Sequence, residues 1–152
     1  MIQLDNKIRR RFDFPVEREA ITNPSGKDTG YDMIYRTDTG TNLGVVSRDY
    51  KLIRHSEVID EVFGLFQRKR LPEIEPLDVI VSAQGARLFA SFKINKEADL
   101  GIALKSRNNV GDIISPGFMI TNSYDRTIKF TLETFVFRLV CSNGMIAKEE
   151  LL

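Results

Sequence analysis

Chemistry at neutral pH draws on nucleophiles, bases, metal ligands or clustered cations, and this sequence is poor in the first three. It holds one cysteine, Cys141 in FRLVCSNGM, and one histidine, His55. A cysteine nucleophile needs a base beside it, and His55 is distant in sequence with no third orienting group indicated. The plainer reading of Cys141 is a small buried residue that ends a strand before Asn143-Gly144 turns the chain. One Cys and one His cannot fill a four-ligand structural zinc site, and no HExxH spacing marks a catalytic one. Carboxylates are plentiful, so Asp112, Asp125 and Glu133 offer the oxygen ligands of a metal-dependent nuclease. An Asp after glycine and an Asp in a turn are better explained by backbone preference. NPSGKDTG (23–30) fails as a phosphate loop: Asp28 stands where a hydroxyl should meet magnesium, and no upstream glycine has the right spacing. No catalytic residue, metal or cofactor is assigned, and the chain reads as non-enzymatic.

The remaining chemical pattern is cationic and aromatic. In ARLFASFKI, strand alternation puts Leu88, Ala90, Phe92 and Ile94 on one face and Arg87, Phe89, Ser91 and Lys93 on the other. The second set interleaves cations with a ring, as a platform for single-stranded nucleic acid does: bases stack on rings and cations meet phosphates. Lys105, Arg107, Arg126 and Lys129 add charge nearby, and Tyr124 adds a second ring. The competing reading makes Phe89 a packing residue and the cations solubilisers of a sheet edge. A third class is an interaction module whose exposed sheet edge pairs with a partner protein.

These residues need elements to hold them. The chain has 152 residues and a net charge of +1, which fits one domain and puts any polyanion site on a local patch. No apolar run approaches the roughly 20 residues that span a bilayer, and the basic N-terminus lacks the apolar stretch of a secretory signal. A lone cysteine agrees with a reducing cytoplasm. Residues 1–15 read as an extended arm ending at Phe-Pro. VEREAIT (16–22) reads as a strand, and GYDMIYRT with LGVVS as a hairpin. HSEVIDEVFGLFQRKR (55–70) is the strongest helix: Val58, Ile59, Val62, Phe63 and Phe66 form one stripe, Ser56 can cap it, and Pro72 stops it. LPEIEPLD reads as a linker. VIVSA with ARLFASFKI makes a second hairpin, and FMITNS with TIKFTLETFVFRLVC a third. The apolar phase of the last strand slips near Thr134, where a bulge would restore one core face. The expected fold is α+β: a curved antiparallel sheet of hairpins with one main helix packed on it.

Taken in order, LGVVSRDYKLIRHSEVID, AQGARLFASFKI, ISPGFMITNSYDRTIKF and FRLVCSNGM resemble a family of phage- and plasmid-encoded proteins of unknown function, domain of unknown function 932. The resemblance covers about residues 43–147. It implies a mobile-element setting, where DNA intermediates are handled, and supplies no catalytic residues. It also implies that the family's helical C-terminal segment is absent from this sequence, which stops at AKEELL. The expectation is therefore a cytoplasmic, non-sequence-specific single-stranded DNA-binding protein that aids replication or recombination. Its contacts would be Arg87, Phe89, Lys93, Lys105, Arg107, Tyr124, Arg126 and Lys129. Assembly into a homo-oligomer stays open, and no membrane contact is expected.

Overall fold

The computed structural model describes residues 4–95, 114–140 and 145–150. Antiparallel strands dominate and helices are few, but the hairpins divide between two sheets. The first sheet has the order β1-β2-β3, from Val16–Thr22, Asp28–Arg36 and Asn42–Ser47. The second has the order β4-β5-β6-β7-β8, from Glu73–Ser82, Arg87–Asn95, Ile114–Ser123, Thr131–Val140 and Met145–Glu150. Every neighbouring pair is antiparallel. Among the described residues no helix is long and apolar enough to cross a membrane.

Helix α2 (His55–Arg68) follows the expected stripe. Val58, Ile59, Val62 and Phe63 are buried with Ile74, Val79, Leu88, Ala90, Phe92, Phe118 and Ile120 of the larger sheet. Phe63 meets Phe92 edge-on at 5.4 Å, and Phe92 stacks on Phe118 at 5.2 Å, geometries that add to plain area burial. Ser56 is not the cap. The first turn is closed by the Glu57 carboxylate, which accepts the Arg54 N–H at 3.1 Å, and by the Tyr124 hydroxyl, which accepts the His55 N–H at 2.9 Å. Helix starts leave such N–H groups without partners, so α2 begins where a distant tyrosine can receive one.

Three expectations need correction. Residues 1–15 are not simply an extended arm: a short helix α1 (Asn6–Arg9) leads to Phe12 and Phe14, both buried in the core. The proposed linker is the start of β4. Pro76 is tolerated there because β4 is an outer strand with a register shift between Pro76 and Asp78, the position where proline's missing donor costs least. Near Thr134 there is no bulge, since the β6–β7 pairing runs without a shift from Ile114↔Arg138 to Thr121↔Thr131. The phase slip is absorbed instead by exposure. Phe130 and Leu132 stay 51% and 47% exposed, while Phe135 is buried.

The two sheets are joined at one corner. The Tyr124 ring is buried with Phe14, Val16, Ile34, Leu43, Val46 and Ala86, and its N–H donates to the Ala86 carbonyl at 2.8 Å. Gly44 of β3 lets the Tyr124–Asp125 backbone pass over the small sheet: a Cβ there would come within 2.7 Å of Asp125 Cα. The Tyr50 hydroxyl donates to the Ser123 carbonyl at 3.0 Å across the same junction.

Candidate nucleic-acid interface

β5 alternates as its sequence requires. Leu88, Ala90 and Phe92 are fully buried toward α2, whereas Arg87, Phe89, Ser91 and Lys93 are half-buried on the opposite, outer face. Phe89 lies between Ile80 of β4 and Thr121 of β6 in the strand register. Ile80 is 51% exposed, so the ring has an apolar neighbour in the open. The Thr121 hydroxyl donates to the Lys129 carbonyl at 2.9 Å and so accepts from the Thr131 hydroxyl at 2.7 Å, which ties exposed Lys129 to the same end of the face. The next row carries carboxylates at both ends, Asp78–Ser91–Met119–Glu133. Beyond it, Lys93 and Gly117 sit in register with Phe135, which is buried.

The expected contact residues do not form one set. Phe89 and Lys93 share the outer face, with Lys129 beside it. Arg87 is on that face too, but its Nε donates to Asp125 Oδ2 at 3.0 Å. Asp125 in turn receives the Thr127 N–H at 3.0 Å, so it organises the turn into β7. Burial pushes the Asp125 carboxyl up, but the hydrogen bonds from Thr127 and Arg87 outweigh it and the net direction is down. Arg126, with positive φ, points its guanidinium toward the Tyr50 ring at 5.9 Å and lies exposed on the turn. Tyr124 cannot stack on a base, because it is 0% exposed and its hydroxyl serves α2. Lys105 and Arg107 lie outside the described residues, as do Asp112 and Cys141. Asp125 is committed to Arg87 and Thr127, and with Asp112 outside the described residues the carboxylate trio of the nuclease reading is not described as a set. Among the described residues no group of three His, Cys, Asp or Glu side chains could hold a metal ion.

Sequence reading passed over the polar centre of the corner. His55 is fully buried. Its Nε2 lies 2.9 Å from the Gly85 carbonyl, which can only accept, so Nε2 carries the proton. Nδ1 is then the acceptor for the Asn122 amide at 3.1 Å, and that amide also donates to the Ile53 carbonyl at 3.0 Å. The imidazole and Tyr124 rings are 4.1 Å apart, with Phe14 edge-on to both. Burial pushes the His55 pKa down to about 4, with the Gly85 hydrogen bond opposing it, and pushes the Tyr124 hydroxyl up to about 12, with the His55 backbone N–H opposing it. A neutral, satisfied, inaccessible imidazole is an anchor for the fold and has no route to a substrate. Gly85 fits under Phe14 only as glycine: φ is +113° and a Cβ would meet the ring at 2.8 Å.

A second polar cluster braces the small sheet. The Asp32 carboxylate is buried and accepts from Arg18 Nε at 2.8 Å and from Arg48 Nη2 at 3.3 Å. Arg18 also donates to the carbonyls of Tyr50 and Arg48 at 2.9 and 3.1 Å, and Arg48 pairs with Asp28. Two arginines around one carboxylate fasten the segment after β3, and both guanidinium groups are spent on protein partners.

No curated protein and no solved structure matches the chain. A family model does match, over residues 42–151, most of the sequence and all of the larger sheet with α2. The chain belongs to the family described as Domain of unknown function (DUF932).

Proposed function

We propose that this protein is a non-catalytic binding module that takes single-stranded DNA across the outer face of the larger sheet. Its scaffold is a curved sheet with one main helix packed behind it. The observation that carries the reading is the position of Phe89: half-buried, beside exposed Ile80, on the face turned away from α2, with Lys93 four residues along the same strand. Four strand residues span about 13 Å, so ring and cation can engage one extended nucleic-acid strand together. Lys129 holds a phosphate at the other side of the ring, and Arg126 extends the cationic rim. Arg87 keeps Asp125 in place and acts on binding only through that turn. Cytoplasmic location and service in the replication or recombination of a mobile element belong to the same proposal.

Titration of a fluorescent oligothymidine at two salt concentrations tests it. Phe89→Ala removes stacking worth about 1–3 kcal/mol per base. Lys93→Ala and Lys129→Ala weaken binding on every sequence alike, and each flattens the log–log salt dependence by about 0.7. A Phe89→Ala protein that keeps its fold and binds like wild type removes the platform from consideration.

A further inference from the structure

β4 is the outermost strand of the larger sheet, so β5 occupies one side of it and, among the described residues, no strand occupies the other. Pro76 and the irregularity up to Asp78 blunt its first half, as edge strands commonly are. The second half, Val79–Ser82, pairs regularly with β5 and carries no such protection. Arg11 Nη1 donates to the Val79 carbonyl at 3.4 Å. Because the Ala86 carbonyl faces Tyr124, alternation along β5 turns the Phe89 amide groups toward Ile80 and leaves the Val79 carbonyl on the open side. Antiparallel alternation then turns the amide groups of Val81 the same way. A groove of about 480 Å³ at this edge is lined by Arg11, Arg36, residues 78–81 and Gly85. The Arg36 guanidinium is held in place, 3.9 Å above the Phe14 ring, and Asp38 takes its Nε and Nη2. Among the described residues no carboxylate pairs with Arg11.

We propose that the open edge of β4 at residues 79–82 accepts an extended peptide segment of a partner protein as an added strand, with an acidic side chain of that segment held between Arg11 and Arg36. The chemistry of the edge decides between a peptide and a nucleic acid. The Val81 carbonyl, and the Val79 carbonyl beyond its long contact with Arg11, are acceptors that take donors, and a phosphodiester backbone has only acceptors. Asp78 on the wall of the groove repels a polyanion and leaves a single carboxylate, placed against the arginines, tolerable. Ile80, exposed next to this edge, gives the added strand an apolar cross-strand neighbour.

The test pans random short displayed peptides on the full chain, with counter-selection on an Arg11→Glu variant. Arg11 is exposed, so thermal melts of the two proteins should agree. Enriched peptides should alternate β-branched residues around one Asp or Glu and bind the variant at least about tenfold more weakly. Replacing that acid by lysine should restore binding to Arg11→Glu, and the wild-type peptide should slow hydrogen exchange at Val79 or Val81. N-methylation of every second peptide bond should abolish binding. The proposal is overturned if no peptide is enriched, if the charge swap fails, or if N-methylated peptides bind equally well. It is also overturned if oligothymidine, or self-association seen by sedimentation, protects those amides instead.

Discussion

His55 makes the stability of this protein depend on pH in a window where few other groups titrate. In the folded chain the imidazole is buried, neutral and holds its proton on Nε2 against the Gly85 carbonyl. Protonating Nδ1 would replace the lone pair that receives the Asn122 amide with a second donor facing a donor. Burial, with the Gly85 hydrogen bond opposing it, pushes the pKa down to about 4 from the usual 6.5. The unfolded chain therefore binds a proton as pH falls through 6.5, while the folded chain does so only near 4. Stability conferred by the neutral ring is complete above pH 6.5 and is lost as pH falls from 6.5 toward 4. The slope reaches about 1.4 kcal/mol per pH unit, and the whole interval amounts to about 3 kcal/mol. Urea melts across the interval measure it directly. Because the sequence has one histidine, the ring proton resonances of the wild-type protein give the folded pKa without a variant. A His55→Gln protein should be less stable at neutral pH and should lose most of the slope between 6.5 and 5, where carboxylates contribute little. A His55 resonance that titrates near 6.5 in the folded protein would refute the argument, as would an unchanged slope in His55→Gln.

Other expectations rest on single contacts. Tyr124→Phe keeps the ring but leaves the buried His55 N–H without its acceptor, which should cost about 1–3 kcal/mol in a denaturant melt. Gly44→Ala drives a Cβ into the Asp125 backbone, and strain of that kind costs about 1–3 kcal/mol; a thermal shift equal to wild type would mean the corner opens freely. Phe92→Ala removes a ring that is 0% exposed between Phe63 and Phe118, and should destabilise by about 3–5 kcal/mol. Phe89→Ala should cost far less in the same assay, and equal losses would place Phe89 in the core.

Periodicity made much of this architecture readable. The α2 stripe and the alternation in β5 are repeated signals, each residue supporting its neighbours, and they locate a helix and the inner and outer faces of a strand. Single residues with two possible partners were harder. Pro76 suggested a linker because sequence does not say which strand is outermost, and only an outer strand tolerates proline. Tyr124, inside TNSYDR, has the composition of an exposed turn. It is buried because Gly44, some eighty positions earlier, allows that turn to lie against the small sheet. Phe12 and Phe14 follow a run of arginines and looked like part of an arm, yet Phe14 covers Gly85 and the His55 ring. The division into two sheets had no local sign at all, since each hairpin looks the same in either. Arg11 and Arg36 were passed over for a similar reason: neither spacing nor neighbours in sequence indicate that they line one groove beside β4.

The pairing of β2 with β3 bears on how this family can be handled as a fragment. The family match begins at residue 42, the first residue of β3. Val46 and Leu43 of that strand are buried with Val16 of β1, Ile34 of β2 and Phe14. A recombinant piece starting at 42 would keep β3 but strip off the strand beside it, baring a hydrogen-bonding edge and two apolar side chains at once. The same cut would remove Phe14 from the His55–Tyr124 pair, so the loss would reach the start of α2. Such a piece should come out of expression as an insoluble or self-pairing species, whereas one that begins before Phe12 should stay dispersed. The boundary of shared sequence and the boundary of the folding unit fall on different residues here.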